Sequence, residues 1–159
     1  MRKFLAVPLL LFIVLASCAK ATAPGTPVLP GTTDATLRAV VQAEGDVDAG
    51  VAGALQITQQ LFAAGTVDKP TAVTITNVLA KVTAANGQAI AITKGLVSIP
   101  PAQRSTIQSI IVPVINAVQD SLSNGLIPIK DANAKAALSA ALSSLLVTLQ
   151  IIQSSTGGA

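Results

Sequence analysis

The feature that most constrains the fold is a set of five apolar residues near the C-terminus, spaced four, three, four and three positions apart. They are Leu138, Leu142, Leu145, Leu149 and Ile152. This spacing places all five side chains on one face of an α-helix, as at the seam of a helical bundle. Such a seam needs other helices to cover it, so the pattern predicts an all-α fold.

Three further amphipathic segments precede this one, at about residues 34–64, 68–94 and 100–125. Asp34, Asp68 and Asp131 stand where an aspartate can cap a helix, and Pro100-Pro101 opens the third segment. The predicted inward positions are Leu37, Val40, Val41, Val47, Val51, Leu55, Phe62, Ile75, Val78, Val82, Ala85, Ala89, Ile92, Ile107, Ile110, Ile111, Val114, Ile115, Val118 and Leu122. We therefore expect an antiparallel bundle of about four helices.

Three glycines and a proline interrupt two of the predicted helices. Gly45, Gly50 and Gly53 predict either a break near residues 44–48 or close approach of a neighbouring helix. Pro113 predicts a kink in the third helix, because proline cannot donate to the carbonyl of residue 109.

The two helical hairpins resemble one another. A shift of 60 residues lays Val47 on Ile107, Val51 on Ile111, Leu55 on Ile115, Phe62 on Leu122, Gly65 on Gly125, Val78 on Leu138, Val82 on Leu142 and Ile92 on Ile152. Either the hairpin is duplicated, or two amphipathic hairpins of equal length align in this way.

The N-terminus has the features of an exported protein. Arg2 and Lys3 precede an apolar run of 13 residues, 4–16, which is shorter than the roughly 20 residues that cross a bilayer as a helix. The run ends in Leu15-Ala16-Ser17-Cys18, which resembles the lipobox of bacterial lipoproteins. The resemblance covers about 20 residues.

That resemblance implies cleavage before Cys18, a diacylglycerol on its thiol, and acyl chains such as palmitate on the new N-terminus. Because Ala19 and not aspartate follows Cys18, it also implies the outer membrane facing the periplasm in a cell with two membranes. In a cell with one membrane it implies the outer face of that membrane. An ordinary signal peptide that happens to have a cysteine near its cleavage site is the alternative.

These features divide the chain into four parts. Residues 1–17 are the predicted lipoprotein signal peptide, and 18–33 are Cys18 with a tether rich in Pro, Gly and Thr, which we expect to be disordered. Residues 34–155 are the predicted helical bundle, and 156–159 a flexible tail.

The composition argues against most kinds of active site. The chain contains no His, Trp or Tyr, and its only cysteine would carry lipid. These absences exclude a His general base and metal ligands of the imidazole or thiolate type. We therefore predict a protein that is not an enzyme and has no cofactor. After residue 17 the chain has eight Lys and Arg and seven Asp and Glu, so its net charge is close to zero. Phe62 is the only aromatic residue in this part, and both observations argue against nucleic-acid binding.

The one acidic cluster is Glu44-Gly45-Asp46-Val47-Asp48. A calcium loop needs Gly at its sixth position and Glu at its twelfth, where this chain has Ala49 and Leu55. We therefore interpret the cluster as a solvated helix face or loop and predict no metal site.

The last helix is ambiguous, because residues 136–159 carry no charge and Ala136, Ala140, Ser144 and Thr148 form a row of small residues. Such rows also occur between membrane helices, but the interrupted apolar run favours a buried bundle helix over insertion of 136–153.

The favoured function is a non-enzymatic structural or protein-interaction module, anchored to an envelope membrane through Cys18 and binding a protein partner or itself. The alternatives are a carrier for a small apolar ligand or lipid, and a membrane-active amphipathic protein.

Overall fold

A computed structural model of the chain describes residues 34–157. They form four α-helices: α1 (Ala35–Ala63), α2 (Lys69–Thr93), α3 (Pro101–Asp120) and α4 (Ala132–Gly157). A π-helical turn, Ser121–Gly125, continues from the end of α3. The prediction of an all-α fold is confirmed for this part of the chain.

Three of the helices begin at the predicted aspartate caps. Oδ1 of Asp34, Asp68 and Asp131 accepts a hydrogen bond from the backbone N–H three residues later, at 3.1, 2.9 and 2.7 Å. Each bond satisfies a backbone donor that the first helical turn leaves without a partner. At the other ends of α1 and α2, Gly65 and Gly95 have φ of 71° and 79°, a conformation that favours glycine.

The helices form a closed antiparallel bundle. α1 packs against α2 and α4, and α3 packs against the same two helices. The diagonal pairs, α1 with α3 and α2 with α4, have no Cα atoms within 8 Å of each other in the described residues. The most extensive contact joins α1 to α4, so the first and last helices close the ring. The predicted four-helix bundle is therefore confirmed.

The five residues of the α4 seam are all buried, as their spacing predicts. Fully burying one Leu or Ile side chain stabilises a protein by roughly 1.5–3 kcal/mol, so this seam is a major contribution to folding. The correspondence between positions 60 residues apart holds only in part. Val47, Val51, Val78 and Val82 and their counterparts 60 residues on are buried, but Phe62 is exposed where Leu122 is half-buried. Duplication and chance alignment of two similar hairpins therefore both stay hypotheses.

Helix α1 runs without a break through Gly45, Gly50 and Gly53. Of the two alternatives, close approach therefore holds at Gly50, where a Cβ atom would lie 3.3 Å from Leu145 Cδ1 of α4. Helix α3 likewise continues through Pro113, which lies on its exposed side. The kink stays a prediction.

The predicted flexible tail, 156–159, is wrong at its first two residues. Helix α4 continues to Gly157, and Thr156 is buried. Thr156 lies four positions beyond Ile152 and so extends the seam, while its hydroxyl donates to the Ile152 carbonyl at 2.8 Å. This bond satisfies the buried hydroxyl, which explains how a polar residue can end the apolar seam. Residues 158–159 lie outside the described part.

Candidate functional site

Glu44 is the one acidic side chain buried in the described part of the chain, with 2% of its surface exposed. It extends from α1 toward the end of α2, where the Thr93 hydroxyl lies 3.0 and 3.1 Å from the two carboxyl oxygens. The same hydroxyl lies 3.2 Å from the carbonyl oxygens of Ala89 and Ile90. Glu44 is therefore held by a single side-chain partner on the neighbouring helix.

A second polar side chain of α2 lies beside this carboxyl. Asn86 is fully buried, and its Nδ2 donates to the Glu44 backbone carbonyl at 2.9 Å and to Asp48 Oδ1 at 2.8 Å. These two acceptors fix which way the amide faces, since its oxygen would repel both. Asn86 and Thr93 are seven residues apart, so both lie on the same face of α2 and fix its register against α1.

Burial raises the pKa of the Glu44 carboxyl from 4.5 to about 7, the Thr93 hydrogen bond opposes this shift, and the nearby Asp48 carboxylate adds to it. The protonated carboxyl fits the geometry well. Its O–H can donate to Thr93 Oγ1 while the Thr93 hydroxyl donates to the Ala89 carbonyl. The cluster therefore holds a neutral carboxyl at mildly acidic pH and acquires a buried charge as pH rises.

The interpretation of the acidic cluster as a solvated face is wrong for Glu44, although Asp46 and Asp48 are exposed. The sequence did contain a signal. Leu37, Val40, Glu44, Val47 and Val51 follow the alternating three-four spacing of a seam, with Glu44 at a core position. Within residues 34–157, no three His, Cys, Asp or Glu side chains are grouped so as to hold a metal ion.

A groove of about 330 Å³ runs between the end of α1 and the start of α2. Its lining is mainly apolar and includes Phe62, which is 47% exposed, Val73 and Ala72, with Lys69 at the edge. The prediction that Phe62 faces the core is therefore wrong, because the apolar face of α1 turns outward near its end.

The outward side of α3 and α4 carries no charge over residues 105–119 and 136–157. We call the exposed residues within these two ranges the uncharged face. It includes Ala136, Ala140 and Ser144 of the small-residue row, together with the exposed apolar side chains of Val147 and Ile151. The small row thus lies on the surface of the bundle and not in its interior.

Helix α4 is the one helix in the described part that is long and apolar enough to cross a membrane by length and composition. A core helix passes the same test. Its five seam residues are buried against the other helices, so crossing a membrane would remove them from the core.

Cys18, the predicted lipidation residue, lies outside the described residues, as do the predicted signal peptide and tether. The bundle begins at Asp34, sixteen positions after Cys18. Along the chain, the end of the bundle that follows the predicted anchor is therefore the one that contains the start of α1, the end of α2 and the end of α4.

No protein-family model, curated protein or solved structure matches this chain.

Proposed function

We propose that this chain is a non-enzymatic lipoprotein of the cell envelope, anchored at Cys18, whose bundle associates with a second copy of itself through the uncharged face. The Leu15-Ala16-Ser17-Cys18 lipobox supports the anchor. In a cell with two membranes, the outer membrane facing the periplasm is the proposed location.

The observation that carries this proposal is the position of the uncharged ranges on two neighbouring helices. In a two-fold symmetric dimer the same patch meets itself, so any charge near the axis faces a like charge. A face without charges avoids this repulsion. Exposed Ala and Ser residues along α4 also allow two helix backbones to approach closely.

The size of the face sets the expected affinity. At about 1.5 Å per residue, 22 residues of α4 extend about 33 Å, and two helices side by side are about 18 Å wide. Such a patch buries about 1,000–1,200 Å² over two copies, close to the lower limit of specific interfaces. We therefore expect reversible association, favoured when anchoring confines the chains to one membrane.

Ala140→Lys tests the interface, because it places a charge in the uncharged face at an exposed helical position. Ala84→Lys is the matched control, since Ala84 is exposed on α2. Sedimentation equilibrium of the lipidated chain in density-matched detergent should show a dimer for the natural chain and for Ala84→Lys. Ala140→Lys should be a monomer with unchanged far-UV circular dichroism.

Two results would contradict self-association. One is a natural chain that stays monomeric as its concentration in the detergent micelles rises. The other is an equal loss of dimer in both lysine variants, which would place the interface elsewhere or make it non-specific.

The groove beside Phe62 favours a second candidate function, that of a carrier for a small apolar ligand or lipid. Its apolar lining and single edge lysine suit an acyl chain with an anionic head. A lipid that co-purifies with the natural chain, and is lost from Val73→Asp, would favour this function.

A further inference from the structure

We propose that the loop between α2 and α3, residues 94–100, contacts the surface of an anionic lipid bilayer when Cys18 holds the chain at a membrane. This inference rests on the proposed anchor. It adds which end of the bundle meets the bilayer and which lipid charge it recognises.

The position of the loop follows from the antiparallel packing. Thr93, the last residue of α2, bonds to Glu44 in the third turn of α1, so α2 ends beside the beginning of α1. The predicted tether enters the bundle at this same end, at Asp34. At 3.3–3.6 Å per residue, the 15 residues from Ala19 to Thr33 reach at most about 50 Å, so this end can lie against the membrane whenever the tether is not fully extended.

The loop presents an apolar side chain to solvent. Val97 is 75% exposed, and Leu96 beside it is half-buried. The loop is also held in place, because Ile99 is buried in the core and the Arg104 Nε–H donates to the Ile99 carbonyl at 3.0 Å. Val97 is thus an exposed apolar side chain in a loop of fixed position, and such a side chain can insert into a lipid surface.

The charge around the loop is positive. The cations at this end are Lys94, which begins the loop and is exposed, Arg104 in the first turn of α3, and the exposed Arg38 in the first turn of α1. The one acid at the start of α1 is Asp34, and the exposed Asp46 and Asp48 lie further along that helix. Basic groups beside an apolar tip favour a surface of anionic lipids over a neutral one.

The opposite end of the bundle has an exposed apolar loop residue but a balanced charge. Ile127 is 65% exposed between the π-helical turn and α4. The charged residues at that end are Asp68, Lys69, Asp120, Lys130, Asp131 and Lys135, three acids and three lysines. Ile127 therefore serves as a matched control for Val97, with similar exposure and different electrostatics.

The natural chain has no tryptophan, so a single introduced tryptophan reports on its own surroundings. Lipidated full-length Val97→Trp and Ile127→Trp are reconstituted into phosphatidylcholine vesicles with and without phosphatidylglycerol. Emission wavelength, quenching by acrylamide and quenching by brominated lipid are measured for each. Flotation of both variants, compared with Cys18→Ser, establishes whether the anchor holds the chain on the vesicles.

With phosphatidylglycerol present, Val97→Trp should shift to shorter wavelength, lose acrylamide quenching and gain quenching by brominated lipid. Ile127→Trp should stay accessible to acrylamide. Adding Lys94→Glu to Val97→Trp should restore acrylamide quenching without changing flotation. High salt should have the same effect, because it screens surface charges.

The inference is overturned if both tryptophans respond alike, or if Val97→Trp responds equally without phosphatidylglycerol. If the protein floats with the vesicles but the tryptophan of Val97→Trp stays accessible to acrylamide, the loop contact is overturned and the anchor is not. A natural chain that fails to float, like Cys18→Ser, overturns the proposed anchor instead.

Discussion

Glu44 illustrates how a single residue makes the stability of this bundle depend on pH. Its folded-state pKa of about 7 lies above the ordinary value of 4.5, because the core penalises the carboxylate more than the Thr93 hydroxyl stabilises it. Between these two values the unfolded chain has lost the proton and the folded chain keeps it. The free energy of unfolding therefore falls as pH rises through this window, by on the order of 2–3 kcal/mol in all.

Glu44→Gln should remove this dependence, since glutamine stays neutral and its amide can donate to Thr93 Oγ1. At pH 8 the variant should be more stable than the natural chain by about 2 kcal/mol, and near pH 4.5 the two should differ by less than about 0.5 kcal/mol. Urea unfolding of the full chain, followed by far-UV circular dichroism, measures both values.

Asp46→Asn is the matched control, because Asp46 is exposed two residues away. It should keep the natural decline in stability with rising pH. If the free energy of unfolding of Glu44→Gln falls with rising pH as much as that of the natural chain, Glu44 is not the group responsible for the pH dependence.

At the scale of the helices, Gly50 of α1 lies in close contact with α4, and a comparison with the neighbouring Gly53 separates two effects of glycine. A Cβ at Gly53 would meet no atom within 4 Å, whereas one at Gly50 would lie 3.3 Å from the buried Leu145 Cδ1. Alanine improves the helical propensity at both positions, but only at Gly50 must a core side chain move to accommodate it.

Gly53→Ala should therefore raise the free energy of unfolding by about 0.5–1 kcal/mol. Gly50→Ala should raise it by less, because displacement of Leu145 offsets part of the gain. Urea unfolding at one pH compares them directly. An equal or larger gain for Gly50→Ala would mean that α1 and α4 are less tightly packed at this point.

The sequence predicts the helices well and their polar contacts poorly. The spacing of apolar residues locates all four helices and aspartate caps mark the start of three of them, because both are local signals. The burial of Glu44 was missed because the hydroxyl that compensates its carboxyl, that of Thr93, lies 49 residues away on α2. A local pattern cannot show that a carboxyl at a seam position will find a hydroxyl across the bundle.

The outward turn of Phe62 and the burial of Thr156 were missed for a related reason. An apolar residue near a helix end is covered only if another element lies over it, and a buried threonine is tolerated only if its hydroxyl finds a carbonyl. Both conditions depend on how the helices pack, which a local sequence pattern does not show. Lipidation of Cys18 stays a prediction from the leader sequence alone.

For the whole molecule, the described charges and the predicted anchor together suggest an orientation. The uncharged face lies along the side of the bundle formed by α3 and α4, while the cationic loop with Val97 lies at the tether end. A chain standing with that end on the membrane would leave its side free to meet a second copy. Anchoring would then bring together chains whose mutual affinity is low.

The proposed anchoring and membrane orientation depend on Cys18, so the most direct measurement is the intact mass of the protein purified from the membrane, with fragmentation of its N-terminal peptide. The expected result is a chain that begins at Cys18 and carries diacylglycerol on its thiol, with an acyl group on the new N-terminus where the cell adds one. A chain that keeps residues 1–17, or one cleaved near this site with an unmodified Cys18 thiol, would contradict the lipid anchor.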